Sequence, residues 1–165
     1  MIRVMNNQDN LTIKQIIDNH ADEIPQKDLE YCLIDCLKKN RSFVKFNPTY
    51  ILNNKELIDL KKLIFELRSG KPLSYVLGYH PFYKHEFYVD KNVLIPRNET
   101  EIIIDEILKA GDLWFKKYNK LTLIDLGSGS GCIGLSLAIE RPHWNIVLID
   151  KFLSTVDILE KNIKK

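Results

Sequence analysis

Cysteine, methionine and tryptophan are scarce in this chain of 165 residues, with 3, 2 and 2 of each, and neither sign of charge dominates. Three cysteines, an odd number, exclude the disulfide framework of a small secreted domain. Cys32 and Cys36 lie one helical turn apart in an apolar-periodic stretch, with no histidine or further cysteine at zinc-ligand spacing nearby. They read as core packing, and no metal is expected. A net charge of +2 and a pI near 8.3 fall short of the basic face that a phosphate-tracking protein needs, so no direct nucleic-acid partner is expected. Residues 1 to 10 are polar and lack the apolar stretch of a secretory leader, and no run of about eighteen apolar residues occurs. The reading is a soluble, cytoplasmic protein with no membrane partner. The basic ending, Lys161, Lys164 and Lys165, suits a solvated last helical turn, where cations oppose the helix dipole.

No repeat or low-complexity segment is present, and the rhythm of apolar residues changes along the chain. Ile13, Ile16 and Ile17, then Leu29, Leu33 and Leu37, then Leu57, Leu60, Ile64 and Leu67 recur at helical spacing, punctuated by Pro25 and Asn47-Pro48. This predicts a bundle of several short helices ending at the breaker Arg68-Ser-Gly70-Lys-Pro72. From Tyr79 to Ile95 the pattern turns aromatic and β-branched (Phe82, Phe87, Val89, Val93, Ile95), which predicts a hairpin with its turn at Asp90-Lys-Asn92. A helix should follow Arg97, capped by Asn98 or Thr100, with Ile102, Ile103, Ile107 and Leu108 as its apolar stripe and Gly111 as a stop or kink.

Glycine is sparse as well, yet three of the seven fall in Asp125-Leu-Gly127-Ser-Gly129-Ser-Gly131-Cys132. The apolar run 121–124 before them reads as a short buried strand, and Ile133 to Ile139 as the helix after. Trp144 to Ile149 gives a second strand tipped by Asp150, and a last helix runs from about Ser154 to Lys164. In such a βαβ unit the turn's backbone N–H groups face a ligand, and an acid at the second strand end accepts both hydroxyls of a ribose. A dinucleotide fingerprint would put its third glycine where Cys132 stands. The form present, D-x-G-x-G-x-G, resembles instead the first motif of S-adenosylmethionine-dependent methyltransferases.

Two upstream blocks sharpen the resemblance. Arg68-Ser-Gly70-Lys-Pro72-Leu-Ser-Tyr75-Val-Leu-Gly78-Tyr-His-Pro-Phe82-Tyr-Lys-His-Glu-Phe87 and Val93-Leu-Ile-Pro96-Arg97-Asn-Glu99-Thr100-Glu101 precede the glycine motif in the order and spacing of the release-factor glutamine methyltransferases, the HemK/PrmC family. The likeness covers roughly residues 12 to 165. It implies an α/β fold: an N-terminal helical bundle, a β-hairpin linker, then the first half of a Rossmann-like class I methyltransferase domain. The expected domains are 1–72, a helical substrate-recognition domain, 73–97, the hairpin linker, and 98–165, the N-terminal half of the S-adenosylmethionine-binding domain. The cofactor implied is S-adenosyl-L-methionine, and the partner is a peptide-chain release factor, methylated on the glutamine amide of its Gly-Gly-Gln loop.

Gly127, Ser128, Gly129, Ser130, Gly131 and Asp150 are the expected cofactor-binding residues. Asp125 is expected to order the turn or approach the methionine end, and the resemblance adds Arg97, Glu99, Thr100 and Glu101 beside the methionine moiety, with Asn98 where the family commonly has proline. Transfer to a planar amide nitrogen needs acceptors for its N–H groups, a task the family gives to an Asn-Pro-Pro-Tyr motif. That motif does not occur in the 165 residues, so no catalytic residue is assigned and the chain reads as a C-terminally truncated member with a partial sheet and an uncovered apolar face. Two alternatives stay open: a non-catalytic module that binds release factor, and a relative of the methyltransferases acting on adenine amino groups in nucleic acid.

Overall fold

The computed structural model describes residues 11–165, and the polar stretch Met1 to Asn10 lies outside the described residues. The chain divides into two compact units, one reaching to Leu77 and the other running from Gly78 to Lys165.

The first unit is helical: α1 Ile13–His20, α2 Gln26–Leu37, α3 Arg41–Phe46, α4 Asn54–Arg68 and α5 Leu73–Leu77. Its helices start where side chains satisfy the orphan N–H groups of the first turn. Thr12 and Gln15 form a reciprocal capping box on α1, Asn40 caps α3, and Asn53 with Glu56 makes a second box on α4. Ile13, Ile16, Leu29, Leu33, Leu37, Leu57, Leu60 and Ile64 fill the core, with Ile17 and Leu67 packed at its margin, as helical periodicity predicts. Cys32 is fully buried in that core, where burial pushes its thiol up to about 12. Burial likewise raises Cys36 to about 11, and its Sγ donates to the Glu56 carbonyl at 3.0 Å. Both therefore stay protonated at neutral pH and act as small apolar fillers. Asn53→Ala removes one half of the α4 box and is expected to lower the unit's stability by about 1 kcal/mol in a denaturant titration.

Residues 73–77 belong to this helical unit as α5, not to a hairpin linker. The hairpin itself pairs β1 Tyr79–Phe82 with β2 His85–Tyr88, antiparallel, and turns at Tyr83-Lys84 with Tyr83 at φ 55°. The sequence pattern places the turn later, at Asp90-Lys-Asn92, because Asp and Asn are the stronger turn formers. That segment does turn: the Asp90 Oδ1 accepts from the Asn92 N–H at 2.8 Å, and the Asp90 carbonyl accepts from the Val93 N–H. It lies beyond the second strand, so Val93 and Ile95 are not strand residues.

After a short 3-10 turn at Asn98–Thr100, α6 runs unbroken from Glu101–Tyr118. Neither expected cap operates, since Asn98 opens the 3-10 turn and Thr100 makes no side-chain capping bond. The helix buries Ile104, Leu108 and Gly111, while Ile102 and Ile103 face outward. Gly111 is neither stop nor kink. A Cβ there would lie 2.2 Å from Trp144 Cη2, so glycine lets the indole pack directly against the helix. Then β3 Thr122–Leu126, α7 Cys132–Glu140, β4 Asn145–Ile149 and α8 Leu153–Ile163 form the expected βαβα unit, with β3 and β4 parallel. Alternation sends Leu123, Asp125, Ile146 and Leu148 toward the covered face, whereas Ile124, Leu126, Val147 and Ile149 are exposed. Arg141 ties the end of α7 to α6 through a two-pronged contact with Asp112 at 2.7 and 2.6 Å.

Candidate functional site

The site lies at the carboxyl ends of β3 and β4, where a parallel sheet presents its ligand crevice. Beyond Leu126 the chain enters the glycine turn, with Gly127 at φ 75°, Gly129 at 56° and Gly131 at 80°. Those values belong to the left-handed region, which side chains occupy at a cost. The Ile149 carbonyl accepts from both the Gly127 and Ser128 N–H groups, at 2.8 and 3.0 Å, which locks the turn to the tip of β4.

Asp150 follows at that tip. Its Oδ2 accepts from the Gly129 N–H at 2.9 Å and its Oδ1 from the Phe152 N–H at 3.2 Å. These backbone donors, Gly129 foremost, hold its carboxyl below the usual carboxylate range, so it is ionised at neutral pH with lone pairs left for a ligand. Around it opens a cleft of about 520 Å³, lined by Asn92, Val93, Leu94, Gly127, Gly129, Ile149, Asp150, Lys151, Phe152 and Thr155.

The expected residues thus divide. Gly127, Gly129 and Asp150 line the cleft, and a Cβ on either glycine would meet no protein atom within 4 Å. Gly131 is not in the lining. A Cβ there would fall 2.3 Å from Leu159 Cδ1, so its smallness serves the packing of α8 against the start of α7. Ser128 and Ser130 are buried and also outside the lining, and the Ser128 Oγ has no protein partner. Asp125 points beneath α7, where its Oδ2 accepts from the Gly134 N–H at 3.1 Å, and burial raises its pKa. It anchors the first turn of the helix and not the glycine loop. Gly134 is required there because a Cβ would fall 2.1 Å from Leu148 Cδ2. Arg97, Glu99, Thr100 and Glu101 stand at the 3-10 turn and the start of α6, and none lines the cleft. Burial raises the Cys132 thiol, which leaves it a packed, unreactive group at the α7 start.

Sequence reasoning missed Asn92, Val93, Leu94, Lys151, Phe152 and Thr155. Lys151 and Phe152 carried one available signal, since they directly follow a strand end at the crevice. Segment 92–94 carried none, because its place beside the glycine turn arises from contacts distant in sequence, such as Thr155 Oγ1 donating to the Asn92 carbonyl at 3.1 Å.

The residues present fit a nucleoside-bearing cofactor. Two open-faced glycines allow close approach, an ionised acid sits beside them, and the largely exposed Leu94 and Phe152 flank the cleft with apolar surface. Among the described residues, no helix is long and apolar enough to cross a membrane.

Comparison with known proteins agrees in both units. Residues 12–78 match the PrmC N-terminal domain, and residues 88–165 match GidB, the rRNA small subunit methyltransferase G family. The chain is 35% identical over 161 residues to the release factor glutamine methyltransferase of Coxiella burnetii, an alignment spanning 94% of this chain and 57% of that protein. It is 36% identical over 143 residues to the protein of that name from Leptospira interrogans, covering 85% of this chain and 49% of the other. A bifunctional methyltransferase of Rickettsia conorii is 29% identical over 181 residues, with 93% of this chain and 34% of its own length aligned. The chain spans about half the length of the release factor methyltransferases it matches. With a match to the PrmC N-terminal domain followed by a match to a methyltransferase family, the chain is similar in both units to part of the release factor glutamine methyltransferases.

Proposed function

We propose that the cleft beside Asp150 binds S-adenosylmethionine, and that the chain contributes the cofactor-holding part of a methyltransferase acting on the glutamine side-chain amide of a peptide-chain release factor. The observation that carries this is the Gly129 N–H to Asp150 Oδ2 bond of 2.9 Å, which fixes an ionised carboxylate at the mouth of the glycine turn. Bound there, the cofactor supplies an electrophilic methyl group on a sulfonium. Asp150 would accept hydrogen bonds from the two ribose hydroxyls, charge-assisted and directional contacts that a carboxylate makes with its free lone pairs. Gly127 and Gly129 let the backbone approach without a side chain between. Leu94 and Phe152 offer flat apolar surface to a purine. Ser128 Oγ is a spare buried donor in the turn.

The PrmC-type helical unit supports a protein client, and the weak net charge of +2 supports the same choice over a nucleic acid. A second reading rests on the helical unit alone, which matches the PrmC N-terminal domain over residues 12–78 and by itself would hold a release factor without catalysis.

Calorimetric titration of the full chain with S-adenosylhomocysteine is expected to give saturable heat, abolished in Gly129→Val, whose branched side chain is strained at φ 56°. Absence of heat from the wild-type chain would overturn the cofactor reading. A pull-down with release factor, beside incorporation of labelled methyl, separates the two readings: capture without label favours the binding module. Preferential labelling of rRNA or DNA over release factor would overturn the protein client.

A further inference from the structure

We infer that Asn162 of α8 is a positioning residue that fastens both walls of the cleft to one another, an inference that rests on the cofactor reading above. Asn162 is buried, at 8% exposure, and its side chain makes three hydrogen bonds, using both amide protons and the amide oxygen. The amide oxygen accepts from the Tyr88 N–H at 2.7 Å. The amide nitrogen donates to the Tyr88 carbonyl at 3.0 Å and to the Ser130 carbonyl at 2.9 Å.

The fit is chemical as well as geometric. Tyr88 ends β2, and Asn162 occupies its N–H and C=O together, as a neighbouring strand would. The remaining amide proton reaches Ser130, which lies between Gly129, the donor to Asp150, and Gly131, the entrance to α7. A side chain with one acceptor and two donors in one plane is required, and at this length only asparagine has it. From Tyr88 the chain runs through the Asp90–Asn92 turn to Asn92, Val93 and Leu94, the wall opposite the glycines. Thr155, two turns earlier on the same face of α8, holds the Asn92 carbonyl. Helix α8 therefore pins segment 88–92 at both ends and the glycine turn at Ser130.

The test compares Asn162→Leu and Asn162→Asp in the full chain, with the exposed Asp157→Ala as control, by titration with S-adenosylhomocysteine and by amide hydrogen exchange. At neutral pH both Asn162 variants are expected to bind about tenfold or more weaker than wild type, since each leaves carbonyls without donors. Asn162→Asp is expected to recover part of that loss as pH is lowered to about 5, because a buried carboxyl facing two carbonyls takes up a proton and becomes a donor to one of them. Asn162→Leu has no such group and should not recover. Other titratable groups face the same place: His85, Glu86 and Tyr88 on β2, Cys132 on α7 and Lys165 after α8. Titrating wild type and Asn162→Leu over the same range accounts for them. Exchange should quicken at Tyr88 and across residues 129–132 together, while protection in α6, in the same unit, stays unchanged and shows that the variants remain folded. Wild-type affinity in both variants, equal recovery in Asn162→Leu, or quickened exchange at Tyr88 without change in the turn would each overturn the inference. A wild-type chain that gives no heat would overturn the cofactor reading instead, and the exchange result then decides the brace by itself.

Discussion

Asp150→Ala is expected to weaken S-adenosylhomocysteine binding by about 100-fold, or about 3 kcal/mol, the scale of two hydrogen bonds made to a charged group. The loss has two sources. The ribose would lose its acceptor, and the Gly129 N–H, now without its partner at 2.9 Å, would no longer hold the turn in place. Asp150→Asn should fall between, since its one amide oxygen can serve either the turn or the sugar. Calorimetry reads all three, and an Asp150→Ala chain that binds within about threefold of wild type would remove the carboxylate from the site.

The same residue fixes the sign of the acid response. Backbone donors depress the folded pKa of Asp150 below its ordinary value, so its contribution is fully present above the usual carboxylate range and is lost as pH falls through the lower, folded value. Affinity should therefore hold from neutral pH down to about 4, where an unperturbed aspartate would already be half protonated. Asp125 behaves oppositely, its pKa being raised chiefly by burial. On acidification it takes up its proton before Asp150 does.

Gly131→Ala is expected to destabilise the second unit by about 2–4 kcal/mol, and Gly127→Ala by only about 1 kcal/mol, in parallel thermal or denaturant unfolding. Both residues lie at positive φ, 80° and 75°, so the backbone strain of a side chain is similar. Surroundings decide the difference. A Cβ on Gly131 would lie 2.3 Å from Leu159 Cδ1 and 3.0 Å from Leu135 Cδ1, and Leu159 is itself buried, so its methyl can give way only by repacking against its neighbours. A Cβ on Gly127 meets nothing within 4 Å. Equal losses would show that conformation alone, and not the packing of α8, demands glycine at the end of the turn. The pair also separates roles: Gly127→Ala should weaken ligand binding more than its small effect on stability implies.

Much of the fold was legible because local signals agreed with tertiary ones. The leucines and isoleucines of α2 and α4 repeat at helical spacing, and those are the residues that fill the first core. The glycine motif between two short apolar runs specified the βαβ unit, since only glycine takes those φ values freely. Misreadings arose where a strong local signal served another purpose. Asp90-Lys-Asn92 is a turn beyond the hairpin, while the hairpin closes at Tyr83-Lys84, where no glycine or asparagine marks it. Gly111 resembles a helix stop and is instead the seat of Trp144, distant in sequence. Ile102 and Ile103 are apolar but turned outward, because the stripe that meets the core is set by Ile104 and Leu108.

By itself, then, the sequence determined the helical bundle, the parallel βαβ unit and the pairing of a glycine turn with the acid at the next strand end. Those depend on periodicity, turn chemistry and short separations, which a linear string encodes. Only the tertiary structure decided which expected residues share the cleft, moving Asp125 and Gly131 into packing roles and bringing Asn92, Val93, Leu94 and Phe152 to the glycines. The reason is physical: a cleft wall is made by groups that meet across long loops, and bonds such as those of Asn162 to Tyr88 and Ser130 exist only once α8 has docked.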